Sequence, residues 1–142
     1  GEYQNIEMER FLIKHKINDY NQNHFFPVNT LQIMRGAVFA QTQNDYKRYI
    51  DEIYQHMWCE PKKMDEPEVI RAALEQSGLP AADIFAGMQD PTIKQTLIDN
   101  TNRSVEMGAF GSPTFFVGKE IFFGKDKLTD VEDEILKNNQ KR

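Results

Sequence analysis

For most of this chain the apolar residues recur at intervals of three and four, the spacing of one face of a helix. Only near the C-terminus do they gather into short unbroken runs. The pattern predicts a first helix over about Asn5 to Lys16, with Ile6, Met8, Phe11 and Leu12 on its apolar side. Asn18 to Pro27, NDYNQNHFFP, is a polar and aromatic loop. Asn29 reads as the N-cap of TLQIMRGAVFAQ, where Leu31, Met34 and Val38, flanked by Ile33 and Ala37, form the buried stripe. A third helix spans Asp45 to Cys59, with Tyr46, Tyr49, Ile50, Ile53, Tyr54 and Met57 inward, and Pro61 ends it. Asp65 and Glu68 have capping-box spacing ahead of PEVIRAALEQ, which Gly78 terminates. A short helix follows in PAADIFAGM. Asp90-Pro91, cap then first-turn proline, opens a long helix to about Met107. On it Ile93, Thr96, Leu97, Asn100 and Ser104 share a face that turns polar toward the end, and Gly108 stops it.

The pattern then changes. TFFV and EIFF are short, rich in Phe, Val and Ile, and separated by Gly118-Lys119. They read as two strands joined by a two-residue turn with Gly first, the type II′ signature. A last helix from Asp126 or Thr129 to about Lys137 would turn Leu128, Val131, Ile135 and Leu136 inward. The fold class is therefore mostly α, with a C-terminal β-hairpin and helix. The hairpin is hard to place alone. A two-stranded ribbon is marginal in water and has two open edges. Both faces of these strands carry large apolar residues, as in a central strand, and no further strand is evident in the chain. Helices must cover the hairpin, or strands from elsewhere must pair with it.

Composition narrows the partners. The chain has 142 residues and a net charge of −5, with its basic residues scattered, which argues against nucleic acid. No apolar run reaches membrane-spanning length and the first residues do not resemble a signal peptide, so a cytoplasmic location is expected. The single cysteine, Cys59, excludes an internal disulfide, a CxxC pair and a cysteine zinc cluster. It is expected to be a buried or half-buried structural thiol. His15, His24 and His56 lack metal-ligand spacing, so no metal is expected, and each is read as solvated or hydrogen-bonded rather than catalytic. Trp58, Tyr54 and the methionines follow helical spacing and read as core.

Two blocks carry a resemblance. GAFGSPTFFVGKEIFFGKDKLTDVEDEI gives G-x-F-G-x-P-T-F-F-V, a hairpin, then F-F-G-x-D-x-L and a helix. NHFFPVNTLQIMRGA, His24 to Ala37, contains F-P-x-N-[ST]. Together they resemble the 2-hydroxychromene-2-carboxylate isomerases and the related kappa-class glutathione transferases, within the DsbA-like thioredoxin superfamily. In that group a β-α-β half comes first, a helical domain is inserted, and a β-β-α half completes the sheet. The resemblance implies that residues 1–108 are the inserted helical domain and 109–142 the C-terminal half, with the N-terminal half absent from this chain. The group's catalytic serine belongs to that half, so no catalytic residue is carried over, and this chain by itself is expected to be inactive.

The cofactor implied is glutathione. Pro113 resembles the group's cis-proline, whose role is to present the backbone of Ser112 to the tripeptide like an added strand. Asp126 matches the aspartate that meets the γ-glutamyl amino group, and also suits a cap of the last helix. Lys125 stands where relatives carry a small or amide residue and is within reach of a carboxylate. Asn29 lines the substrate cleft by resemblance and is a helix cap by its own chemistry. The implied activity is glutathione-dependent isomerisation of a small aromatic or chromene carboxylate, in which the thiolate adds, permits bond rotation and leaves. Partners would be a second copy in a homodimer, or an N-terminal segment completing the sheet. A kappa-like glutathione transferase, a DsbA-like disulfide oxidoreductase and a non-catalytic helical assembly module remain open as alternatives.

Overall fold

The helical periodicity is realised, in a computed structural model describing residues 2–140, as six helices before the hairpin. They are α1 (Glu2–Lys14), α2 (Leu31–Thr42), α3 (Tyr46–Tyr54), α4 (Pro67–Gln76), α5 (Ala81–Gln89) and α6 (Pro91–Glu106). Strands β1 (Thr114–Val117) and β2 (Glu120–Phe123) follow, then a 3-10 turn over Lys125–Lys127 and α7 (Leu128–Gln140). The chain separates into two compact units, one ending at Leu97 and one beginning at Ile98. The division falls inside α6, so the second unit takes in the last turns of that helix, upstream of the sequence-derived boundary at 108/109.

In the first unit, α2 packs on α3 and α5, and α4 packs on α5. The core joins Ile33, Ala37 and Ala40 of α2 to Tyr49 and Ile53 of α3, Ile70 and Leu74 of α4, and Ile84 and Met88 of α5. The buried face of α2 is rotated from the one expected. Val38 is buried as predicted, but Leu31 and Met34 are 47% and 48% exposed, and the buried side is Ile33, Gly36, Ala37, Val38 and Ala40. Small residues win because α2 lies close to its neighbours: a side chain on Gly36 would meet the Tyr49 hydroxyl. On α3, Tyr46 and Tyr54 are likewise exposed rather than inward.

Two terminal signals act differently from their reading. Asp65 and Glu68 form no capping box: Glu66 is the N-cap, Pro67 the first helical residue, and Asp65 Oδ2 accepts instead from the Asn29 N–H at 3.2 Å. The N-cap position of α2 is Thr30 rather than Asn29; Asn29 stands one residue before it, its Oδ1 accepting from Leu31 N at 3.1 Å. Asp90 does cap α6, taking the Thr92 N–H at 2.7 Å.

The predicted helix from Asp45 to Cys59 is not α-helical throughout. Its last turn, Gln55–Cys59, widens to π geometry, with Glu60 N bonded to Gln55 O at 2.8 Å. The carbonyls this turn leaves over are taken up by the loop before α2, as helix ends require. Asn21 bonds Trp58 O through its N–H at 2.6 Å and Cys59 O through its amide at 2.7 Å. Asn23, only 1% exposed, donates to Met57 O and Lys62 O, both at 3.1 Å.

In the second unit β1 and β2 pair antiparallel, Thr114 opposite Phe123 and Val117 opposite Glu120. Gly118 has φ +62° and Lys119 does not enter the positive-φ region, as a type II′ turn requires. α7 packs along β1. Its apolar side is not inward as expected: Val131 is half-buried, but Leu128, Ile135 and Leu136 are exposed. Two four-residue strands do not offer enough surface to cover it.

Candidate functional site

The hairpin register decides which backbone groups of the second unit are free. Gly124 N donates to Pro113 O at 3.0 Å, so Pro113 and Gly124 begin the ladder. Hydrogen-bonded pairs alternate in an antiparallel ribbon. Phe115 and Val117 therefore point their N–H and C=O groups at β2, and Thr114 and Phe116 point theirs at the other edge. Among the described residues the sheet has only these two strands, so that edge of β1 is unpaired.

Upstream of it, the Ser112-Pro113 peptide bond is cis, as the resemblance implied; Phe26-Pro27 is a second cis bond. Among the described residues no hydrogen bond engages the N–H, C=O or hydroxyl of Ser112. Thr114 Oγ1 pins the loop by donating to Gly111 O at 2.6 Å, and the Phe110 ring packs tilted against Phe123 with centroids 4.7 Å apart.

The Pro113–Gly124 bond carries the next residues, Lys125 and Asp126, beside this loop. Four of the five residues singled out from sequence, Ser112, Pro113, Lys125 and Asp126, are thus brought together by one rung of the ladder. Lys125 Nζ lies 3.1 Å from Asp126 Oδ1, with the carboxylate side chain 68% exposed and the lysine 29%. Asp126 sits in the 3-10 turn just before α7, and its Oδ1 accepts from the Lys125 ammonium. The site offers unpaired backbone groups at Ser112, an accessible carboxylate and an adjacent ammonium. That set suits a short extended peptide carrying its own ammonium and carboxylates. The fifth residue, Asn29, belongs to the first unit, where its Oδ1 accepts from Leu31 N at the start of α2 and its N–H donates to Asp65.

Sequence reasoning missed a polar cluster in the first unit. His56, 2% exposed, lies in the π turn between Lys62 and Ser77, and Ser77 in turn reaches Glu52. The histidine is hydrogen-bonded as expected, but the network joins residues from four places in the chain and has no local signature. Cys59 is half-buried, and burial followed by the nearby carboxylates of Asp19 and Glu60 pushes its thiol up, as suits the structural role expected of it. Among the described residues no group of His, Cys, Asp and Glu could hold a metal ion, and no helix is long and apolar enough to cross a membrane.

A 2-hydroxychromene-2-carboxylate isomerase from Sphingobium xenophagum is 25% identical over 104 residues, 71% of this chain and 52% of the relative. The chain therefore spans about half the length of that curated relative. A solved structure of selenomethionine-labelled 2-hydroxychromene-2-carboxylate isomerase superposes with a TM-score of 0.81 at 17% identity, covering 99% of this chain and 68% of that one. At that identity the likeness speaks for the fold. The family profile of the DSBA-like thioredoxin domain matches residues 8–136, nearly the whole chain, and on that match the chain belongs to the DSBA-like thioredoxin domain family.

Proposed function

We propose that this chain carries the glutathione-facing part of a glutathione-dependent isomerase of the 2-hydroxychromene-2-carboxylate type. The observation that carries the reading is the Pro113–Gly124 rung, which joins the strand end that follows the unpaired backbone of Ser112 to the turn that carries the exposed carboxylate of Asp126. The isomerase relative and the shared fold support the choice of reaction. Bound glutathione supplies the thiol. Ser112 offers N–H and C=O to the tripeptide as an edge strand would. Asp126 takes its free ammonium, and Lys125, paired to Asp126 in the structure, turns toward a ligand carboxylate.

The test is a titration of the chain with reduced glutathione followed on backbone amide resonances. Shifts are expected at Ser112, Thr114, Lys125 and Asp126. A charge-assisted hydrogen bond contributes about 1.5–3 kcal/mol when well made. At so exposed a carboxylate the low end applies, and Asp126→Asn should weaken binding about tenfold. Absence of shifts at Ser112 and Asp126, or an unchanged affinity in the variant, would remove the reading. The unpaired β1 edge also favours a second role for the hairpin, as an acceptor of further strands from a partner or a second copy.

A further inference from the structure

His56 is a buried titratable group that the glutathione reading leaves unused, and its hydrogen bonds admit a single protonation state. Lys62 Nζ lies 2.5 Å from Nδ1. An ammonium only donates, so Nδ1 must present a lone pair. The ring proton therefore sits on Nε2, which is 2.8 Å from Ser77 Oγ. The Ser77 hydroxyl then donates to Glu52 Oε2 at 2.7 Å. Every donor in this chain of four groups has an acceptor only while the imidazole is neutral.

Lys62 is also where a connecting segment is held. Its N–H bonds His56 O at 2.9 Å, and its carbonyl takes the buried Asn23 amide at 3.1 Å. Three residues on, Asp65 accepts the Asn29 N–H at 3.2 Å. The segment between the π turn and α4 thus runs from the histidine to the start of α2.

We propose that His56 is a proton-operated latch: neutral, it holds Lys62 and the 60–66 segment against the start of α2; protonated, it turns Nδ1 into a donor facing an ammonium and releases them. The charges facing the ring are few. Glu52 of α3, Glu60 of the segment and the Ala73 carbonyl of α4 favour the protonated ring, while burial first and Lys62 second oppose it, and the balance holds the imidazole below its ordinary value. On α3, Arg48 donates to the carbonyls of Ser77 and Gly78 at 2.7 and 3.0 Å, which fixes the Ser77 end whatever the ring does. Lys62 Nζ also donates to Gln76 Oε1 at 3.1 Å and lies 3.6 Å from Glu60 Oε2, so its ammonium keeps partners when the ring is protonated. The latch stands without the glutathione reading.

The experiment is a histidine-nitrogen and backbone-amide NMR titration of the full chain between about pH 5 and 8. His56 should show the Nε2–H tautomer at neutral pH and a midpoint below roughly 6.5. The amides of Lys62, Asp65 and Asn29 should shift with that same midpoint. Lys62→Met should raise the midpoint and uncouple those amides from it. An Nδ1–H tautomer, a ring that stays neutral throughout, or amides that ignore its titration would each overturn the latch, as would an unmoved midpoint in the variant. Should Lys62→Met not fold, the wild-type titration decides alone. Glutathione binding can fail while the latch survives, and the reverse.

Discussion

Gly36→Ala is the sharpest test of the packing described for the first unit. The added Cβ would sit 2.1 Å from Tyr49 Oη and 2.7 Å from Met88 Cε, both on fully buried side chains. Neither can swing into solvent, because Tyr49 and Met88 are each 0% exposed. Tyr49 also donates its hydroxyl to Ile33 O at 2.8 Å, and burial keeps that phenol protonated well beyond the usual range. Three terms set the magnitude. Ala in place of helical Gly gains about 1 kcal/mol. Overpacking costs about 1–3 kcal/mol. Driving the hydroxyl off its acceptor while it stays buried costs about 1–3 kcal/mol more. The expected net loss is about 1–5 kcal/mol.

The assay is urea unfolding followed by Trp58, the single tryptophan, which packs against this core and so reports on the first unit. Tyr49→Phe removes the nearest clashing atom, so the double variant should be less destabilised than the sum of the two singles. A Gly36→Ala protein within about 0.5 kcal/mol of wild type, or strict additivity in the cycle, would refute the close approach of α2 to α3.

Two further outcomes are expected. In amide exchange, Phe115 and Val117 should be protected and Thr114 and Phe116 should exchange fast, since only the former pair donates to β2; equal protection of all four would mean that the edge is covered. Stability should also depend on pH through His56. Its folded pKa lies below its unfolded one of roughly 6.5, so its contribution is complete above that value. As pH falls, the unfolded chain takes up a proton that the native ring refuses, and stability declines until the folded pKa is passed. Urea midpoints across this range should slope less in His56→Gln than in wild type, and parallel slopes would exclude the histidine as their source.

Local chemistry was legible in the sequence where one segment alone decides the outcome. The Asp90-Pro91 helix start, the Gly118-Lys119 turn and both strands are of this kind, because cap, turn and β-branched or aromatic run act on their own neighbours. The Ser112-Pro113 and Asp126 positions were found by resemblance, and the fold then supplied what motif spacing could not, the rung that joins them. The errors share one cause, competition from distant partners. Asp65 looked like a helix cap, but Asn29, far off in sequence, offers an N–H that takes its carboxylate. Leu31 and Met34 gave α2 a plausible apolar stripe, and the close approach of Tyr49 selected the small-residue face instead. The π turn and the His56–Lys62 contact form across the end of a helix and leave no periodic trace.

The second unit has two unmet demands that point to the same remedy. Backbone groups of Thr114 and Phe116 lack partners, and an unpaired strand edge is a template for another chain. Phe110, Ile121, Phe123, Leu128, Ile135 and Leu136 are exposed, beyond what scattered surface apolar residues account for. More helix would bury the second set and leave the first unsatisfied, whereas an added strand alone would do the reverse. A strand with a flanking helix meets both, and a β-α unit docked on β1 is the smallest element that does. Ser112 lies immediately upstream on the same strand line, with its own backbone unpaired. An incoming strand at Thr114 and Phe116 and a peptide ligand at Ser112 would therefore be neighbours along one edge. That arrangement makes the order of the edge a condition for the ligand site: a ligand measured on the isolated hairpin edge should bind more weakly than one measured after the edge is filled.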